Sequence, residues 1–227
     1  MGKHLDFTID FETCSLSANA AVMQAAVVPW LRDNDTDPFI NEPYVAYVDL
    51  RTCVVDGFDF DPDTVRWWAA RSDAAKKAVT AGVPQPVTDI APGIIRYILG
   101  FTREYGLESI CLWAQGPDVD LGILRNLCRR SGIDLEADIP HAAFRDCRTV
   151  ILEAALIEAE RSVKGTGTRA NGIALPQQVL AEPTKAYDLY PPLPGNYAEG
   201  REAHDALYDA LRSSWNTWHA LRWLRRN

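Results

Sequence analysis

The chain has 227 residues, with 23 Lys and Arg against 31 Asp and Glu, and its formal net charge is -8. A hydrophobic fraction of 47% and seven Trp exclude a disordered chain. The sequence contains no run of about 18 apolar residues, so no membrane span is predicted. Acidic residues interrupt the early apolar run, so we expect no signal peptide and a cytoplasmic protein. The acidic balance also weighs against an extended basic groove for duplex nucleic acid.

The first half of the chain combines strand and helix patterns. Residues 4–11 alternate apolar and polar side chains, which is the period of a strand. A second apolar stretch covers residues 20–31, and a further strand is predicted over residues 44–55. Helical spacing predicts a helix over residues 62–81 and another over residues 88–105.

The second half continues the alternation and adds a long segment rich in Gly and Pro. The predicted elements are a buried strand at 109–114, a helix at 118–131, a brief strand at 142–144, a helix at 146–160 and a last helix from about residue 202. Turn signals fill residues 161–200, which we interpret as a long loop or insertion. Residues 1–227 are therefore predicted to form one α/β domain.

The first strand carries two acidic residues that point to metal chemistry. Asp10 and Glu12 lie two residues apart, so both side chains leave the same face of the strand. Paired carboxylates on an apolar strand are costly unless a positive charge neutralises them. Mg²⁺ is commonly held by one or two carboxylates together with substrate phosphates. The alternative is an edge strand that faces solvent, where acidic residues cost little.

Two later segments carry further acidic residues. Asp118 and Asp120 open a helix directly after a strand and a Gly turn, where either residue could also serve only as an N-cap. His204 and Asp209 lie five residues apart, which is about 140° around an ideal helix. They can serve one site only if His204 lies in the preceding loop or in the first turn.

The order of these motifs resembles the DEDDh branch of the DnaQ-like 3′-to-5′ exonuclease superfamily. Segments 64–68 and 144–149 are similar to its phage-type exonuclease subgroup. The resemblance covers residues 6–211, although residues 161–200 match poorly. It implies a ribonuclease H-like α/β fold, in which a mixed central sheet is flanked by helices.

The resemblance also implies roles for individual residues. The implied metal ligands, which hold two divalent cations (Mg²⁺ or Mn²⁺), are Asp10, Glu12, Asp120 and Asp209. His204 is the implied general base. Asp120 matches better than Asp118 because Leu124 follows at the spacing of the family. The tyrosine branch of the superfamily is disfavoured, since it needs Tyr where this chain has Asp205.

Substrate contacts are expected from four other residues. In similar enzymes the turn at Thr13 and Leu16 contacts the 3′-terminal nucleotide, with Leu16 as an apolar wedge, but an ordinary turn is an equal alternative. Trp67 or Trp68 could stack on a base, and we assign this role to Trp68; its neighbour on the helix then faces another way. Arg145 is assigned to phosphate, with Arg148 and salt bridges as alternatives.

The expected function is metal-dependent removal of nucleoside 5′-monophosphates from single-stranded 3′ ends. The phage-type resemblance slightly favours DNA, and an exoribonuclease of the same fold is the first alternative. A nucleic-acid-binding module without catalysis is the second, because a fold does not determine a function. No membrane partner is expected.

Overall fold

The computed structural model describes residues 4–105, 109–166, 186–187 and 189–226, together with residue 181. Much of the predicted loop at 161–200 lies outside the described residues. Within those that are described, the helix predicted at 146–160 continues to Thr166, and a short helix lies at Gly195–Ala198.

Six strands in the described part form one mixed sheet, in the order β4-β3-β2-β1-β5-β6. Their bounds are β1 His4–Thr13, β2 Val22–Trp30, β3 Tyr44–Val48, β4 Pro84–Gln85, β5 Ser109–Ala114 and β6 Phe144–Asp146. Strand β2 runs antiparallel to β1 and β3, and the other pairings are parallel. The expected α/β fold with a mixed central sheet is confirmed.

Helices cover both faces of this sheet. Their bounds are α1 Leu50–Val55, α2 Pro62–Ala69, α3 Asp73–Ala78, α4 Val87–Tyr105, α5 Pro117–Arg130, α6 Leu135–Asp138, α7 Cys147–Thr166, α8 Gly195–Ala198 and α9 Ala206–Arg226, with a 3-10 turn at His141–Ala143. Helices α4 and α5 pack on one face, and α7 and α9 pack on the other. Among the helices of the described ranges, none combines the length and apolar character that a bilayer crossing requires.

Strand β1 is buried on both faces. Leu5, Phe7 and Ile9 pack against α4 and α5 in the larger core cluster. The intervening residues Asp6 and Thr8 are also fully buried, but on the face covered by α7 and α9. The polar half of the alternating pattern therefore lies inside the protein, and the alternative of a solvent-facing edge strand is wrong.

Three predicted elements need correction, and short capping side chains explain the first two. The strand predicted over 44–55 ends at Val48, because Asp49 accepts a hydrogen bond from the Arg51 N–H and begins α1. The helix predicted over 62–81 is two helices, since Ser72 caps α3 after α2 has ended. Residues 142–143 belong to the 3-10 turn, and strand β6 starts only at Phe144.

Candidate active site

Four acidic side chains from three elements meet at one edge of the sheet. They are Asp10 and Glu12 at the carboxyl end of β1, Asp120 in the first turn of α5 and Asp209 in the first turn of α9. Each of the other three carboxylates acts on the pKa of Asp10, so the four share one electrostatic environment. The structure therefore brings together the acidic residues that the motifs single out.

The polar face of β1 divides into a paired half and an unpaired half. The Asp6 carboxylate accepts hydrogen bonds from the Arg32 guanidinium and from the Trp113 indole N–H, the latter at 2.7 Å. Among the residues that the structure describes, no hydrogen bond or salt bridge reaches the side chains of Asp10 and Glu12. Buried carboxylates are normally paired or bound to a metal ion. The pair is therefore placed to bind a cation from outside the chain.

Burial and mutual repulsion raise the pKa of these groups. The pKa of Asp10 lies well above its usual range because the carboxyl is buried and because neighbouring carboxylates, Asp120 foremost, repel its charged form. The same two causes raise the pKa of Glu12 to about 8. Burial raises the pKa of Asp120 to about 7, although the Phe11 N–H and other contacts oppose the shift. Near neutral pH the metal-free cluster therefore holds protons that a cation would displace.

A tight turn and one backbone hydrogen bond position Asp120. Gly116, between β5 and α5, has a φ of 92°, and a Cβ there would lie 3.3 Å from Nη2 of Arg148. The Phe11 N–H then donates to Oδ1 of Asp120 at 3.2 Å. Asp120 is buried, whereas Asp118 is exposed. This placement supports Asp120 over Asp118 as the third acidic ligand.

His204 lies just before α9 and beside the carboxylates. Its backbone φ is 70°, and its N–H donates to Oδ2 of Asp209 at 2.9 Å. One ligand atom each from Glu12, His204 and Asp209 lies within 4.8 Å of the others. The Trp67 ring stands edge-on to the imidazole, with ring centroids 4.7 Å apart. His204 therefore lies in the preceding loop, as the five-residue spacing requires.

Gln24 ties the start of α9 to the sheet. It lies opposite Glu12 on β2 and is 1% exposed. Its Nε2 donates to Oδ1 of Asp205 at 3.0 Å, and its Oε1 accepts from the Ala206 N–H at 2.9 Å. These bonds hold the two residues that follow His204. The sequence analysis missed Gln24, although a single Gln in the apolar strand β2 is an available signal.

We expect Gln24→Leu to lower both stability and turnover. The change removes both hydrogen bonds of the Gln24 side chain, so the buried Asp205 carboxylate loses its side-chain amide donor. Loss of a hydrogen bond to a charged group typically lowers the free energy of unfolding by about 1.5–3 kcal/mol. In thermal unfolding, the midpoint temperature should fall by about 2–4 °C for each kcal/mol of lost stability. Gln85→Leu is the control, because Gln85 is a half-buried glutamine on β4. Turnover should fall further in Gln24→Leu than in this control. Equal effects of the two changes would contradict the positioning role.

An open cavity of about 500 Å³ gives access to the cluster. Its lining includes Asp10, His204, Asp209, Tyr187 and Arg212. Across this cavity, the Ser213 hydroxyl donates to Oε1 of Gln115 at 2.6 Å and links α9 to the end of β5. Arg212 was not predicted from the sequence, although its position three residues after Asp209 places it on a neighbouring face of the helix.

Of the predicted substrate residues, Thr13 is the last residue of β1, and Leu16 lies in the turn that follows it. The Leu16 side chain is 74% exposed, as an apolar wedge would be. Thr13 is buried, and its hydroxyl donates to the Ser15 carbonyl oxygen at 2.6 Å.

Trp68 does not have the exposure that base stacking needs. It is 8% exposed, and its indole N–H donates to the Thr13 carbonyl oxygen at 2.9 Å. Its neighbour Trp67 is 39% exposed and contacts His204. Adjacent helical residues face different directions, and the structure turns Trp67, not Trp68, toward solvent at the site.

Arg145 is not at the site either. Its guanidinium donates to the carbonyl oxygens of Ala142 and Phe144, and its side chain lines a different cavity with His4, at the opposite end of β1. Of these two arginines, Arg148, in the first turn of α7, is the one near the acidic cluster. It packs against Gly116 and lowers the pKa of Asp120 against the larger effect of burial.

A comparison with protein families finds one match over much of the chain. The model of the family described as 3′-5′ exoribonuclease Rv2179c-like domain matches residues 5–176. That range includes Asp10, Glu12 and Asp120, whereas His204 and Asp209 follow it. None of the curated proteins matches the chain.

One solved structure shows a distant similarity. It is the zinc-bound complex of E. coli ExoI with single-stranded DNA, with 14% sequence identity and a TM-score of 0.49. The similarity covers 99% of the present chain but 41% of the ExoI chain, so the present chain spans less than half the length of that protein. The family match, by contrast, extends over most of the present chain. The chain belongs to the 3′-5′ exoribonuclease Rv2179c-like domain family.

Proposed function

We propose that the chain is a metal-dependent exonuclease that releases nucleoside 5′-monophosphates from single-stranded 3′ ends. The observation that carries the proposal is the cluster of four buried or half-buried carboxylates, open to a cavity and next to His204. A binding module gains nothing from such a cluster, since it repels phosphate. Membership of the exoribonuclease-like family supports the 3′-to-5′ direction.

The donor set fits divalent cations. Carboxylate oxygens are the ligands that Mg²⁺ and Mn²⁺ prefer. Two such cations carry +4, which four carboxylates would balance. We propose that the holding residues are Asp10, Glu12, Asp120 and Asp209. A pair of bound cations would supply positive charge to the attacking and leaving oxygens of an in-line displacement at phosphorus.

The side chains around the cluster have separate tasks in this proposal. An imidazole nitrogen of His204 accepts the proton of the attacking water, since histidine changes charge near neutral pH. Asp209, through the His204 N–H, and the Trp67 ring hold that imidazole in place. Arg212 lies on the cavity wall, where its guanidinium can bind phosphate oxygens. Leu16, exposed beside the strand end, contacts the terminal base.

RNA and DNA differ at the 2′-hydroxyl, which proteins recognise through local contacts. The family description names an exoribonuclease, which supports RNA as the substrate. The DNA preference expected from the phage-type resemblance has no supporting contact among the described residues. We therefore propose single-stranded RNA as the first substrate and DNA as the second.

A digestion experiment tests the proposal. Purified protein is incubated with single-stranded RNA or DNA of one sequence, labelled at the 5′ end, in Mg²⁺, Mn²⁺ or EDTA. We expect a ladder that shortens from the 3′ end, release of nucleoside 5′-monophosphates, and no product in EDTA. The polymer with the larger initial rate is the preferred substrate.

Two controls separate the competing functions. A 3′-terminal phosphate on the same polymer should slow digestion, because a 3′-to-5′ exonuclease starts at that end. Metal-independent binding without any mononucleotide release from either polymer would favour the non-catalytic module and overturn the proposed enzyme.

A further inference from the structure

A second cavity adjoins the active-site cavity. Its volume is about 340 Å³, and it shares Tyr187 and Arg212 with the first cavity. Its remaining walls, here called the neighbouring subsite, are Tyr190, Pro191, Pro192, Leu193, Tyr208 and Asn216. None of these six residues is needed for the metal cluster, so the cavity has no role in the chemistry proposed above.

One face of α9 connects the two cavities. Tyr208, Arg212 and Asn216 are spaced four residues apart, which places their side chains along one face of the helix. Asn216 follows Asp209 by seven residues, or about 10 Å along the helix axis. A polymer whose end lies at Asp209 would therefore pass into the neighbouring subsite.

Asn216 supplies an unused hydrogen-bond donor in this subsite. It is 3% exposed, and its Nδ2 has no hydrogen-bond partner among the described residues. Buried side-chain amides nearly always have a partner, and an orphaned one calls for an explanation. A ligand with an acceptor atom in the cavity would satisfy it.

The other walls are suited to a flat ring and a negative charge. Tyr190 is anchored by its hydroxyl, which donates to the Ile151 carbonyl oxygen at 3.3 Å. Pro191 is held by the Trp215 indole N–H, which donates to its carbonyl oxygen at 2.8 Å. Tyr208 adds a second half-buried aromatic ring, and Arg212 adds a cation. Aromatic rings stack on bases irrespective of sequence, and Arg binds phosphate.

We propose that the neighbouring subsite binds a nucleotide of the substrate strand next to the one that is removed. Its base stacks on Tyr208, a base acceptor takes the Asn216 amide hydrogen, and Arg212 contacts the phosphate between the two nucleotides. This proposal rests on the proposed exonuclease function. It gives the Pro-rich segment before α8, which the sequence analysis left as part of a long loop, a role in holding the strand.

Two substrates of different length test the subsite. The p-nitrophenyl ester of a nucleoside 5′-monophosphate offers one nucleotide, and a short single-stranded oligonucleotide offers several; both have the sugar of the polymer that the wild-type protein digests faster. Tyr208→Ala should lower the ratio of kcat/KM on the oligonucleotide to kcat/KM on the ester by about 5- to 150-fold, the range for loss of one stacked base. The loss should appear mainly in KM.

Tyr105→Ala is the matched control. Tyr105 lies in α4, where its ring stacks on Phe101 and its hydroxyl bonds Asn41, and it lines neither cavity. This variant should leave the ratio of the two efficiencies unchanged. An equal fall in the ratio for both tyrosine variants would overturn the subsite.

Asn216→Leu adds a second readout, the unfolding midpoint, which does not depend on activity. The change keeps a similar volume and removes the unpartnered amide, so the unfolding midpoint should stay the same or rise while oligonucleotide KM increases. A clear fall in the midpoint would show that the amide serves the fold, which overturns its role in the subsite.

The two proposals fail in different ways. If the wild-type protein hydrolyses neither substrate, the exonuclease function is wrong, and the subsite proposal fails with it. If it hydrolyses both but Tyr208→Ala leaves the ratio unchanged, the subsite alone is wrong.

Discussion

Asp10→Asn is expected to lower kcat by more than about 10²-fold on any substrate that the wild-type protein digests. Even residues that only support metal ligands typically cost 10–100-fold when changed, and Asp10 is proposed as a ligand itself. The other three carboxylates of the cluster all act on the pKa of Asp10. Asparagine keeps the shape of the side chain, so the loss should come from its missing charge. Single-turnover rates at saturating Mg²⁺ and Mn²⁺ measure it.

The same change should stabilise the metal-free protein. Groups whose pKa is raised by folding bind protons more tightly in the native state, so their contribution to stability falls as pH rises. For the wild type in EDTA, this loss extends from the usual carboxyl range to about pH 8, because the pKa of Asp120 is about 7 and that of Glu12 about 8. Asp10→Asn removes one repelling charge, so its unfolding midpoint near pH 8 should exceed that of the wild type.

Asp118→Asn is the control for both effects. Asp118 lies two residues from Asp120 but is exposed, so neither kcat nor the metal-free midpoint should change appreciably. Added Mg²⁺ should raise the midpoint of the wild type more than that of Asp10→Asn. If the Asp10 variant kept its rate, or if Mg²⁺ stabilised both proteins equally, the proposed metal site would be wrong.

The α/β elements follow from periodic patterns in the sequence, whereas the set of four acidic residues follows from the order of motifs that resembles a known superfamily. Alternation on the first strand places Asp10 and Glu12 on one face, and the order of the motifs indicates the superfamily. The same alternation includes Asp6, and the strand pattern cannot distinguish it from Asp10. That distinction needs Arg32 and Trp113, which reach Asp6 from elsewhere in the chain and neutralise it.

Residues that act through tertiary contacts could not be predicted from the sequence. Gln24 is important only because α9 begins above β2, a pairing between residues far apart in the chain. Choosing Trp67 over Trp68 requires the rotation of α2, which is set by the hydrogen bond from the Trp68 indole N–H to the Thr13 carbonyl oxygen. Choosing Arg148 over Arg145 requires the position at which β6 ends and the chain turns from the sheet into α7.

His204→Asn is expected to lower kcat by about 10²- to 10⁴-fold, the usual range for loss of a general base. The backbone at His204 has a φ of 70°, and Asn is among the non-glycine residues that tolerate this conformation best. The variant should therefore retain the hydrogen bond from the backbone N–H of residue 204 to the Asp209 carboxylate. Single-turnover rates of the variant and of the wild type measure the loss.

Chemical rescue then separates proton transfer from a positioning role. His204→Gly suits the positive φ and leaves a space beside Trp67, whose ring is 4.7 Å from the imidazole in the wild type. Added imidazole should restore part of the lost rate in this variant, in proportion to the fraction of unprotonated imidazole, and should leave Asp10→Asn inactive. Because a free base cannot replace a residue that only holds the loop, absence of rescue would assign His204 to positioning.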